Sequence, residues 1–184
     1  KLISILYLSF KNLISFFSIF SSIKIYYSKY KTFNRSLVIY FIFEKMIYNI
    51  SYKDNKQIEL INNSVGKPYS LTSRIKLGGV GSPKYYIKSS DKKIDSLLIL
   101  DNNDNTCNIE MRPKGIIIRF RSLLETYALI IPYFKLSIFK PTGDTYSIHS
   151  GEYKIIIITK TETKRKFIKR ILEEKAKISK DYIN

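Results

Sequence analysis

Apolar residues follow three patterns in succession along this chain. As far as about residue 50 they come in long runs. From residue 51 they gather into short blocks separated by turn residues, and from Thr161 they recur at helical spacing. The middle pattern predicts a β protein, with candidate strands at 58–61, 73–77, 85–89, 96–100, 107–111, 115–121, 127–131, 136–139, 145–149 and 153–159. Turn signals separate them: Asn62-Asn63-Ser64, the stretch from Gly78 to Pro83, Asp101 to Asn105, Arg112-Pro113-Lys114-Gly115 and Pro141-Thr142-Gly143-Asp144. Short strands at intervals of about ten residues point to a sandwich or barrel, and no internal repeat is visible.

The last pattern predicts one amphipathic helix over 161–180. Phe167, Ile168, Ile171, Leu172 and Ala176 make its apolar stripe, and Lys164, Arg165, Lys166, Lys169 and Arg170 fill the remaining positions of its first turns. Thr161 or Thr163 can cap its start, where Glu162 suits the positive end of the helix dipole.

The first pattern sets residues 1–50 apart as a basic, apolar arm, leaving 51–184 as the predicted β domain with its terminal helix. The arm holds no Gly, Pro, Asp or Ala. Three readings compete for it. As a membrane element it offers two apolar runs, but Lys11 interrupts them where about 20 unbroken residues are needed to span, and Ser18-Ile19-Phe20-Ser21-Ser22 is a weak cleavage pattern for a signal peptide. As a helical arm it would pack on the rest of the protein. As an upstream extension of the reading frame, residues 1–45 would precede a native start at Met46, which the Lys1 start and a set of amino acids of the kind that A/T-rich codons encode suggest. The expected location is cytoplasmic, with membrane association through residues 1–45 under the first reading.

Charge adds a second theme. With 32 Lys and Arg against 15 Asp and Glu the net charge is +17, in excess by 6 over residues 1–50 and by 11 over 51–184. A hydrophobic fraction of 45%, with 14% aromatic residues, is ample for a core and argues against global disorder. One cysteine, Cys107, excludes an internal disulfide, and with His149 as the one histidine there is no stock for a Cys/His zinc site. No metal or other cofactor is expected.

Enzyme signatures are lacking. His149 has no evident nucleophile or orienting acid beside it and reads as an ordinary strand residue. Glu110, Glu125, Asp144 and Glu152 are scattered and read as solvated strand-end charges. The stretch Gly78-Gly79-Val80-Gly81-Ser82-Pro83-Lys84 lacks both phosphate-loop and dinucleotide spacing and reads as a flexible loop. Asp101 to Asn105 has the oxygen ligands of a calcium loop without its Gly and Glu, and reads as a polar turn. More informative is 115–121: alternation puts Ile116, Ile118 and Phe120 on one face and Ile117, Arg119 and Arg121 on the other. The arginine pair could hold a phosphate or carboxylate, against the plainer reading of a solvated sheet face.

Antiparallel strands, the segment Ala128-Leu129-Ile130-Ile131-Pro132-Tyr133-Phe134-Lys135-Leu136, further strands and one terminal helix come in an order that resembles pleckstrin-homology-like (PH-like) domains of bacteria. The resemblance covers residues 57–178. It implies a β-rich α+β fold: a small antiparallel bent barrel or sandwich, closed by the C-terminal helix. Eukaryotic lipid-binding members carry a Lys and an alternating basic pair in their first hairpin; here Lys114, Arg119 and Arg121 have similar spacing in a middle hairpin. Together with Lys164, Arg165, Lys166, Lys169 and Arg170 they are the candidate anion-binding residues. The expected function is a non-enzymatic, peripheral binding module for an acidic membrane surface or an acidic protein, with no small-molecule substrate. The rival is a basic nucleic-acid-binding domain whose 15 Tyr and 11 Phe would stack on bases.

Overall fold

The computed structural model describes residues 46–100 and 104–181. The readings of residues 1–45 lie outside these, as do Asp101, Asn102 and Asn103 of the polar turn. In chain order the elements are β1 (Ile47–Asn49), α1 (Asn55–Val65), α2 (Leu71–Lys76), β2 (Tyr85–Ser90), α3 (Lys92–Leu98), β3 (Thr106–Arg112), β4 (Gly115–Ser122) and β5 (Glu125–Pro132). There follow a 3-10 turn (Tyr133–Lys135), β6 (Ser137–Thr142), β7 (Thr145–Ser150), β8 (Tyr153–Ile158) and α4 (Glu162–Asp181).

The eight strands form one antiparallel sheet in the order β1-β5-β4-β3-β2-β8-β7-β6. The β-rich α+β class and the C-terminal helix are therefore as the sequence indicates. Closure is not: β1 and β6 lie at the two ends of the ladder, so the sheet stays open. It consists of two meanders, β3-β4-β5 and β6-β7-β8, that share β2. That strand pairs with β3 through Tyr85 and Tyr86 and with β8 through Tyr86 to Ser90, with an irregularity between Ile87 and Ser89.

Three predicted strands are helices. Asp54, Ser70 and Asp91 each stand in extended conformation just before a helix and accept hydrogen bonds from its first free N–H groups. These caps turn 58–61 into part of α1, 73–77 into α2 with the residue after it, and much of 96–100 into the end of α3. In α1 the buried residues are Ile61 and Val65, four apart, which is helical rather than strand periodicity.

Alternation places the core. Ile109, Met111, Ile116, Ile118, Phe120, Leu129 and Ile131 from the first meander join Ile148, Ile155 and Ile157 from the second, with Phe167, Ile168 and Ile171 of α4 and Ile94 and Leu98 of α3. On the opposite face Ile117, Ala128 and Ile130 meet Ile61 and Val65 of α1. The upper part of β4 is thus covered on both faces, and only its later residues have an open one. No helix among the described residues is long and apolar enough to cross a membrane.

Candidate anion-binding surface

Alternation on β4 holds: Arg119 and Arg121 share the face of Ile117, but α1 and a partly buried ion cluster divide their fates. Arg119 pairs with Glu110 on β3, and the same carboxylate takes a second guanidinium, that of the buried Arg112. Arg112 reaches on to the Gly66 carbonyl at 3.3 Å and to Asn62 Oδ1 at 3.4 Å, tying the end of α1 to the sheet. Glu110 is therefore a half-buried bridge and not the solvated strand-end charge its sequence context suggested. Burial alone would raise its carboxyl pKa; the charges and hydrogen bonds of Arg119 and Arg112 override that and hold it below the ordinary value.

A depressed carboxylate stabilises the fold above its unfolded pKa, and that contribution drains away as the pH falls through the lowered folded value. Glu110→Gln is accordingly expected to cost about 1–3 kcal/mol at pH 7. In urea unfolding the gap from the parent should narrow below the ordinary value of 4.5, where the carboxylate of the unfolded parent begins to protonate while the folded one still holds its charge. A gap of the same size near pH 3 would show that the charge contributes nothing.

The five basic residues of α4 also differ among themselves. The Lys164 ammonium lies 5.8 Å and 5.4 Å from the ring centres of Tyr85 and Tyr86, and Tyr85 donates its hydroxyl to the Lys164 carbonyl at 2.9 Å. Arg165 pairs with Asp144 at 2.8 Å and with Glu162 at 3.6 Å. Arg170 donates to the carbonyls of Leu77, Gly78 and Gly79. That leaves Lys166 and Lys169 exposed.

This use of Arg170 fixes the polarity of the glycine stretch. Gly78 and Gly79 have φ of 64° and 89°, a left-handed conformation that turns their carbonyls toward the guanidinium. Residues 80–82 then run beside β3: Met111 N–H donates to the Val80 carbonyl and Ser82 N–H to the Ile109 carbonyl, both at 2.8 Å. The stretch is anchored at both ends, not a flexible loop, and it offers acceptors where a phosphate needs donors.

Lys114 is exposed at the β3–β4 turn, where its own N–H donates to Val65 and its carbonyl accepts from Tyr133. Arg121 lies near the other end of β4, roughly 20 Å away at strand rise. The eight sequence candidates therefore do not converge. Arg121 instead lines a cleft of about 480 Å³ with Lys84, Asp104, Asn105, Thr106, Leu123 and Leu124. Lys84 and the two leucines were missed by sequence reasoning. A run of two leucines between two strand patterns, with no turn residue in it, was the signal that could have marked the site.

Other chemistry is sparse. Ser147 Oγ lies 2.6 Å from His149 Nε2, a partner that period two on β7 places on the same face and that sequence reasoning missed. Burial and then Lys154 across the ladder lower the imidazole pKa. Among the described residues the ring contacts Ser147 and Phe139 and no carboxylate, so the orienting acid of a triad is missing. Burial pushes the Cys107 thiol up to about 12, which leaves it inert as a nucleophile. No group of three or more metal-ligating side chains occurs among the described residues. Comparison with family models, with curated proteins and with solved structures finds no match.

Proposed function

We propose that this chain is a non-enzymatic, PH-like binding module for an anionic partner. The observation that carries the reading is the pair Lys84 and Arg121 beside one cleft, on a chain of net charge +17. Among the described residues neither side chain is in an ion pair, in contrast to Arg119 and Arg165. Asp104 also lines the cleft, so among its described lining residues the two cations outweigh the acid by one charge. Two antiparallel meanders that share one strand, with a terminal helix on the core face, support the PH-like assignment, as does the order of elements in the sequence. A long-range field of this sign speeds encounter with acidic surfaces and is screened by salt.

Removing the pair tests the site against diffuse attraction. A Lys or Arg near an acidic surface contributes about 1 kcal/mol. Lys84→Ala with Arg121→Ala should therefore weaken binding to polyglutamate, or to vesicles of about 30 mol % phosphatidylserine, roughly tenfold at low salt. Lys67→Ala with Lys114→Ala, equal in charge change but with Lys114 at the far end of β4, should do little. Equal losses in the two double variants would mean attraction without a site. Failure of the parent to bind either polyanion at low salt would remove the reading altogether.

A further inference from the structure

We infer that the tip of the β4–β5 hairpin, Leu123-Leu124, is a wedge that enters the acyl region of an acidic phospholipid bilayer while Lys84 and Arg121 meet the headgroup phosphates. The inference deepens the anionic-partner reading and rests on it. Ser122 and Glu125 are paired across the hairpin, so the whole loop is two residues long and both are leucine. Leu124 is 89% exposed and Leu123 is 56% exposed.

The backbone singles out the same place. Leu123 has φ of 54°, and among the described residues it is the one non-glycine with positive φ. Gly, Asn or Asp serves such a position at lower steric cost, and two-residue hairpin loops favour them for that reason. A leucine there costs backbone strain while its side chain stays more than half exposed, which points to a use for that side chain at the surface.

More apolar surface lies beside it. Ser122 Oγ donates to the Leu97 carbonyl at 2.5 Å, which joins the hairpin base to the end of α3. Within three residues of that contact on the α3 side stand Ile99 and Leu100, both exposed. Four exposed aliphatic side chains thus flank the contact between the hairpin base and α3, with Lys84 and Arg121 on the adjoining cleft.

The geometry distinguishes among acidic partners. A two-residue tip is convex and supplies far less than the roughly 800 Å² per partner of a stable protein interface. Nucleic acid would call for aromatic platforms in the cleft itself, and its large apolar lining residues are Leu123 and Leu124. A bilayer asks for a small apolar projection rimmed by basic residues, which is the arrangement here.

The chain contains no tryptophan, so Leu124→Trp supplies a single reporter at the tip within the 184-residue chain. With vesicles of about 30 mol % phosphatidylserine in phosphatidylcholine, its emission should shift to the blue and be quenched by brominated acyl chains. Leu123→Asn with Leu124→Ser should fold at least as stably as the parent, since Asn suits the left-handed position, yet lose at least about tenfold in partition onto those vesicles. Lys67→Ala with Lys114→Ala should stay within about twofold of the parent, the surface potential falling off within a Debye length. A reporter that sediments with vesicles but is neither shifted nor quenched would overturn insertion and leave the anionic-partner reading standing. Undiminished vesicle partition by the Asn/Ser variant together with weakened polyglutamate binding would assign the tip to a protein partner and overturn it too. Loss of all acidic binding in the parent would end both.

Discussion

Ile171→Asp is expected to unfold the protein or bring it to the edge of unfolding. Ile171 is fully buried in the middle of the apolar stripe of α4, alongside Phe167 and Ile168. A carboxylate there would have neither water nor a partner, and such a change costs about 4–5 kcal/mol or more. Domains of this size are stable by only about 5–15 kcal/mol in all. Ile171→Ala, which removes volume without adding charge, should cost about 2–5 kcal/mol and remain folded enough for the transition to be followed. Thermal and urea unfolding of both variants checks the point; a change under about 0.5 kcal/mol in either would mean that α4 does not dock through this residue.

Gly115→Ala comes next in size, and acts through the backbone. A Cβ at this position would lie 2.7 Å from Val65 Cγ1 and 2.8 Å from the Pro132 Cα, and closer still to the Ile131 carbonyl oxygen. Two of those three neighbours are backbone atoms of β5, the strand that Gly115 pairs with, so no side-chain rotation relieves the clash. Either β4 parts from β5 or the end of α1 lifts from the sheet. A cost of about 2–4 kcal/mol is expected, at the upper end of what overpacking produces. Gly143→Ala, where an added Cβ meets nothing within 4 Å, is the matched control and should be near neutral in the same unfolding measurement. Equal midpoints for the two variants would show that β4 and β5 have slack at this crossing.

The strands from Tyr85 onward and the terminal helix were legible because their signals are local: alternation on β4, β-branched runs on β8, and the four-residue recurrence of Phe167 and Ile171. The three short helices were not, because 58–61, 73–77 and 96–100 are apolar enough to pass as strands. The deciding residues, Asp54, Ser70 and Asp91, stand outside those windows and act by capping. β1 was hidden differently. Ile47-Tyr48-Asn49 shares the composition of the residues before it, and its role as a strand comes from pairing with Tyr127, Ala128 and Leu129, some 80 residues on. The candidate site shows the same division. The shared face of Arg119 and Arg121 could be read from period two; that Glu110 claims Arg119 while Lys84 comes to lie beside Arg121 depends on the β3–β4 register and on where the segment after α2 returns to the sheet.

An open sheet leaves two edges at which a strand of another molecule could add itself, and this one blunts both. At one end, among the described residues, β1 runs for three, too short to template a ladder. At the other, the pairing of β6 with β7 slips between Phe139 and Thr142, and the slip holds Lys140 and Pro141. Proline has no N–H to offer an incoming strand, and the lysine would place a charge in any cross-strand stack. The irregularity that spoils the last strand of the meander is thus also what guards the chain against edge-to-edge aggregation.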